Sequence, residues 1–114
     1  MLLRKQLNTE AKTSDNPHRN PDEVLEKISE VLAIPAKVRD QAHAILKKYV
    51  NQLSVSYPTE AVAGACIYAA ARDAKAELDM WNVAYAILKM RRDQFKTAFE
   101  IKTLIQKCYK LIHG

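Results

Sequence analysis

An all-α domain wrapped around one buried central helix is the fold this 114-residue sequence predicts. Three observations lead there. From Ala61 to Ala71 every residue is small or apolar, and a helix with no polar face belongs where neighbours cover it on all sides. That run is too short to span a bilayer, which takes about 20 apolar residues. Elsewhere the apolar residues recur at intervals of three and four, and no alternation of period two stands out to mark strands. Finally, the chain has two glycines and four prolines, all the prolines lying before residue 59, so its second half holds few helix breakers.

The elements follow in order. Residues 1–19 read as an arm, flexible or loosely helical, because Thr13-Ser-Asp-Asn-Pro17 is polar and turn-rich and no apolar periodicity builds before Val24. Residues 20–114 form the domain. Its first helix starts at Asn20, a good cap, with Pro21 in the first turn and Glu23 placed as in a capping box. Val24, Leu25, Ile28, Val31 and Leu32 line one face. Ile34-Pro35 ends it, since a residue before proline avoids helical geometry. The second helix carries Val38, Ala42, Ile45, Leu46, Tyr49, Val50 and Leu53 as a core-facing stripe. After a short loop, Pro58 stands at the first turn of the central helix, with Glu60 near the positive end of its dipole. Asp79 is placed to cap a fourth helix over Met80–Met90 that buries Val83, Ala84, Ile87 and Leu88, with Trp81 at its start. Asp93 is placed to cap a fifth, with Phe95, Ala98, Phe99, Ile101, Leu104, Ile105, Cys108, Tyr109 and Ile112 at helical spacing.

Charge is unevenly spread. Residues 1–80 hold 11 Lys/Arg against 11 Asp/Glu, whereas residues 81–114 hold 7 against 2, which supplies the whole net charge of +5. Such asymmetry points to a nucleic acid or another acidic surface, or to a lysine-rich solvated face. Lys102, Gln106 and Lys110 share a helical face by their spacing of four, with Lys96 and Lys107 near it. Lys89, Arg91 and Arg92 precede them. These eight are the candidate DNA-binding residues: cations for phosphates, and Gln106 for a base edge.

The sequence offers no catalytic constellation. His18, His43 and His113 are scattered, and there is no Gly-rich phosphate loop, nucleophile elbow or paired-carboxylate pattern. No enzyme activity, metal or cofactor is expected. Cys66 and Cys108 fall on apolar helix positions and read as buried free thiols, able to bridge only if their helices touch. The start, Met1-Leu-Leu-Arg-Lys, lacks the apolar core of a signal peptide, so an intracellular protein is expected.

The pattern Glu60-x-Val62-x-x-Ala65-x-Ile67-Tyr68-Ala69-Ala70-x-Arg72 closely resembles the central helix of a cyclin-type repeat of transcription factor IIB and its archaeal counterpart. Val31-Leu-Ala-Ile-Pro-Ala-Lys-Val-Arg-Asp-Gln-Ala42, with Ile45 and Lys47-Lys48-Tyr49, is similar to that family's second helix. Ile105-x-x-Cys108-Tyr109-Lys110-Leu111 is similar, more distantly, to its last-helix signature. The resemblance implies a five-helix cyclin-like domain whose last two helices form a helix-turn-helix-like pair. Two registers compete for that pair. Either Met80–Met90 is the fourth helix, or it is an insertion and Asp93–Phe99 takes that part; the first needs no unmarked turn and is preferred.

The resemblance further implies a non-enzymatic module that binds DNA, the TATA-binding protein, or both, in transcription initiation or its regulation. It would act in the cytoplasm of an archaeon or the nucleus of a eukaryote. The competing reading is a cyclin-fold platform for proteins without DNA binding. With one repeat and no CxxC for a zinc ribbon, the chain departs from the complete initiation factor. It would be a derived relative, a single-repeat regulator or a fragment, and self-association could restore a two-repeat arrangement. Lysine at Lys107 and Lys110, where the family has arginine, favours phosphate contact over bidentate guanine recognition.

Overall fold

Asn20 starts the first helix. In extended backbone, its side-chain oxygen accepts the Asp22 N–H at 3.0 Å, and Pro21 follows as the first residue of α1 (Pro21–Leu32). The computed structural model describes residues 20–113, so the expected arm over 1–19 lies outside the described residues. Four more helices complete the order: α2 (Ala36–Leu53), α3 (Thr59–Asp73), α4 (Met80–Met90) and α5 (Ala98–His113). No strand occurs among the described residues.

The ends of α1 and α3 are built alike and without glycine. Ala33 sits at φ 54°, its N–H bonded to Glu30 O and the next N–H, of Ile34, to Ser29 O. Lys75 sits at φ 57°, with Lys75 N–H on Arg72 O and Ala76 N–H on Ala71 O. Both are Schellman closures, which satisfy the last carbonyls of a helix through one left-handed residue. Ala33 thus ends α1 one residue before Ile34-Pro35 would have forced it to stop.

The central position of α3 is observed as expected. Ala61 through Ala71 are buried apart from half-buried Tyr68, and α3 packs against each of the other four helices. Its small residues allow that crowding. A methyl group on Gly64 would come within 3.0 Å of both Ile87 Cδ1 and Val83 Cγ1 and 3.2 Å of Ile105 Cδ1. The glycine therefore lets side chains of α4 and α5 pack directly onto the α3 backbone. Cys66 and Cys108 are free and buried on the touching helices α3 and α5.

Several expectations shift. Pro58 is the residue before α3, with Thr59 its first. Val31 is 52% exposed: the buried arc of α1 is centred on Leu25, Ile28 and Ser29, which leaves Val31 at its edge. Leu88 is only half-buried, and Ala86 takes an inner place on α4 instead. The largest correction concerns α5. It begins at Ala98, and residues 91–97 form an irregular connector in which Gln94 and Phe95 N–H groups both bond Arg91 O. Thr97 sets the start: its hydroxyl accepts the Glu100 N–H at 3.1 Å, while the Glu100 carboxylate accepts the Lys96 N–H at 3.1 Å. This near-capping box overrides Asp93, whose carboxylate instead holds Arg91. Phe95 is buried in the connector, whereas Phe99, assigned to the apolar face by its spacing, is 66% exposed. Met80–Met90 is thus the fourth helix, and Asp93–Phe99 forms no separate one.

Candidate nucleic-acid interface

The C-terminal residues singled out for DNA take three different situations. Arg91 faces inward. Its Nε lies 3.9 Å from an oxygen of Glu60, buried in the first turn of α3, and its Nη2 donates to Asp93 at 3.1 Å. At 3.9 Å the first contact is an ion pair and not a hydrogen bond. Arg91 thereby ties the connector to the N-terminus of α3. Lys89, Arg92 and Lys96 are exposed around the same connector, and the Lys96 backbone N–H is spent on Glu100.

Gln106, Lys107 and Lys110 project into solvent from α5, and the spacing of Lys102, Gln106 and Lys110 places them on adjoining turns of one side. Lys102 is half-buried because its ammonium lies 5.3 Å from the centre of the Trp81 ring, a cation–π distance. Asp79, the cap of α4, accepts the Trp81 backbone N–H at 2.9 Å and so fixes the turn that carries the ring. Between the helices runs a groove of about 440 Å³ lined by Tyr68, Asp79, Met80, Trp81, Lys102 and Gln106. A second groove of about 720 Å³ separates Lys107 and Lys110 from Tyr57 at the end of the α2–α3 loop. The arrangement can neutralise phosphates over two turns of α5.

Rings were missed by reading for charge. Trp81 lies 6.0 Å from Tyr85 and 6.5 Å from Phe99, centroid to centroid. Tyr68 meets Tyr109 edge-on at 5.0 Å, and Tyr109 lies 4.5 Å from His113. The signal was present in the spacing: Trp81 and Tyr85 are four apart, and Phe99, Lys102, Gln106, Tyr109 and His113 step by three and four along one side of α5. His43, half-buried on α2, has a structural post. Its two ring nitrogens lie 2.8 Å from Asp22 and 2.5 Å from Glu26, which joins α2 to α1.

The thiols are unsuited to chemistry. Burial pushes both up to about 12, with the neighbouring Cys108 adding to the rise at Cys66, so neither supplies a thiolate near neutral pH. Among the described residues no group of His, Cys, Asp and Glu side chains is placed to hold a metal ion. Nor is any described helix long and apolar enough to cross a membrane.

No curated protein and no solved structure matches this chain. The family model of the transcription factor TFIIB repeat matches residues 14–112. That match takes in all of α1 to α4 and nearly all of α5, with the buried α3 at the centre and the cation-bearing α5 at its end. The chain carries a single cyclin-like, all-helical repeat and belongs to the transcription factor TFIIB repeat family.

Proposed function

We propose that this chain is a non-enzymatic docking module of transcription initiation or its regulation, which grips duplex DNA through α5 and meets the TATA-binding protein. Family membership supports a role in transcription and a site of action inside the cell. The observation that carries the DNA contact is the face of α5, where Lys102, Lys107 and Lys110 crowd two turns of one helix with Gln106 among them. Glu100 is the acidic residue of that helix, and it lies at the opposite end from Lys107 and Lys110. Arg92, Lys96 and Lys89 extend the positive surface along the connector. Phosphate contact supplies affinity, and Gln106 is the side chain suited to a base edge. Arg91 supports the surface from behind and reaches no phosphate while it holds Glu60 and Asp93.

The test is a titration against mixed-sequence duplex DNA at two salt concentrations, with and without a TATA-binding protein. Binding should fall steeply with salt, since each neutralised phosphate lowers the log–log slope by about 0.9. Replacing Lys102, Lys107 and Lys110 by glutamine should flatten that slope by about 3 and weaken binding to all sequences alike. No binding at low salt would sink the reading. A protein platform is then the alternative, and the apolar groove between Tyr57 and Leu111 is the observation that favours it.

A further inference from the structure

We propose that the surface shared by α4 and α5 holds single-stranded nucleic acid, with unpaired bases stacking on Trp81, Tyr85 and Phe99 and phosphates held by Lys102 and Lys89. This goes beyond duplex docking, because a ring can stack only on a base that has left its own helix.

Exposure is the first ground. Tyr85 is 60% and Phe99 66% exposed, so most of each ring faces solvent. Both rings flank half-buried Trp81, so three aromatic faces meet at one point of the surface. Charge is the second. On α4, Trp81, Tyr85 and Lys89 follow one another at intervals of four and share a side. On α5, Lys102 touches the Trp81 ring and Gln106 lines the same groove. Of the residues lining that groove only Asp79 is acidic, and its carboxylate is engaged by the Trp81 N–H.

Continuity is the third. Beyond Gln106 the same side of α5 carries Tyr109, in edge contact with Tyr68, and then His113. From Phe99 to His113 the stripe runs roughly 21 Å at a rise of 1.5 Å per residue. A ring, a cation, an amide and two further rings therefore follow one another along a path several nucleotides long. Aromatic platforms beside a positive track are how single strands are held without regard to sequence, and an amide in the path can meet a base edge. An acidic peptide would satisfy Lys102 and Lys89 but would leave the spaced ring faces without flat partners.

Trp81 is the only tryptophan of the chain, so its emission reports on the site directly. The full chain is titrated with an oligodeoxythymidine of about a dozen nucleotides, and in parallel with a duplex of the same length. We expect saturable quenching by the oligomer that weakens with salt. Tyr85→Ala combined with Phe99→Ala should lower affinity for the oligomer at least about tenfold, the scale of one lost base stack. Both side chains are mostly in solvent, so the variant keeps its fold, which helical circular dichroism verifies. Saturable quenching by the oligomer with no binding of the duplex at low salt would leave this site standing without the duplex reading. Absence of quenching, or an unchanged oligomer affinity in the double-ring variant, would overturn it. Quenching by a glutamate-rich peptide and none by the oligomer would overturn it in favour of a protein partner.

Discussion

His43 shows what one side chain contributes to the joint between α1 and α2. Burial works against its charge, but hydrogen bonds to Glu26 and Asp22 and the fields of both carboxylates outweigh it, so its pKa lies above the ordinary 6.5. The folded value exceeds the unfolded one. Its stabilisation is therefore complete below about pH 6.5 and is lost as pH rises through the raised value. The joint is partly open to water, so about 1 kcal/mol is the expected size. Urea midpoints measured from pH 5 to 9 should drop across that window in the native chain and stay level in His43→Gln. A midpoint that rises with pH in that window would refute the assignment. Nothing in the sequence marks this role, because Asp22 and Glu26 lie 21 and 17 residues before His43. Only the antiparallel return of the chain brings them together.

At the scale of elements, local signals were legible where they were self-contained. Asn20, Asp79 and the all-apolar Ala61–Ala71 run each identify a helix by residues lying within it or directly at its start. The start of α5 was harder. Phe95 and Phe99 are four apart and fit a single helical face, but only Phe95 reaches the core, from an irregular connector. Periodicity states that a phase exists without stating where it begins; Thr97 and Glu100 supply that origin. The crossing at Gly64 gives an element-scale prediction. Gly64→Ala gains about 1 kcal/mol of helix propensity but drives a methyl group against the ends of Ile87, Val83 and Ile105 together. Overpacking of a dense core costs about 1–3 kcal/mol, so net destabilisation of about 1 kcal/mol is expected in chemical denaturation. Stabilisation would mean that α4 and α5 can withdraw freely.

Over the whole molecule, the charge excess read from the sequence sits on the last two helices and their connector, but its members divide between scaffold and surface. Arg91 and Arg92 are neighbours in sequence and opposite in duty, a division invisible until Glu60 is placed beside one of them. Arg91→Ala should lower stability by about 2 kcal/mol by weakening the compensation of a buried carboxylate. Arg92→Ala should change stability by no more than about 0.5 kcal/mol while lowering DNA affinity. Equal thermal shifts for the two variants would contradict that division. The candidate cations were thus legible as a set, and the aromatic groove between them was not. Recognising it takes the approach of α4 to α5, a long-range relation that no short window of residues contains.

Cys66 and Cys108 lie on α3 and α5, two helices that would have to part before water reached either sulfur. An aqueous thiol reagent can therefore label them only in molecules that have opened. The labelling rate at increasing urea then serves as a clock of that opening, set inside the core without any added probe. When single-cysteine variants keep the same time, the two helices separate in one event. When Cys108 runs ahead, α5 with its cations lifts from a centre that is still folded.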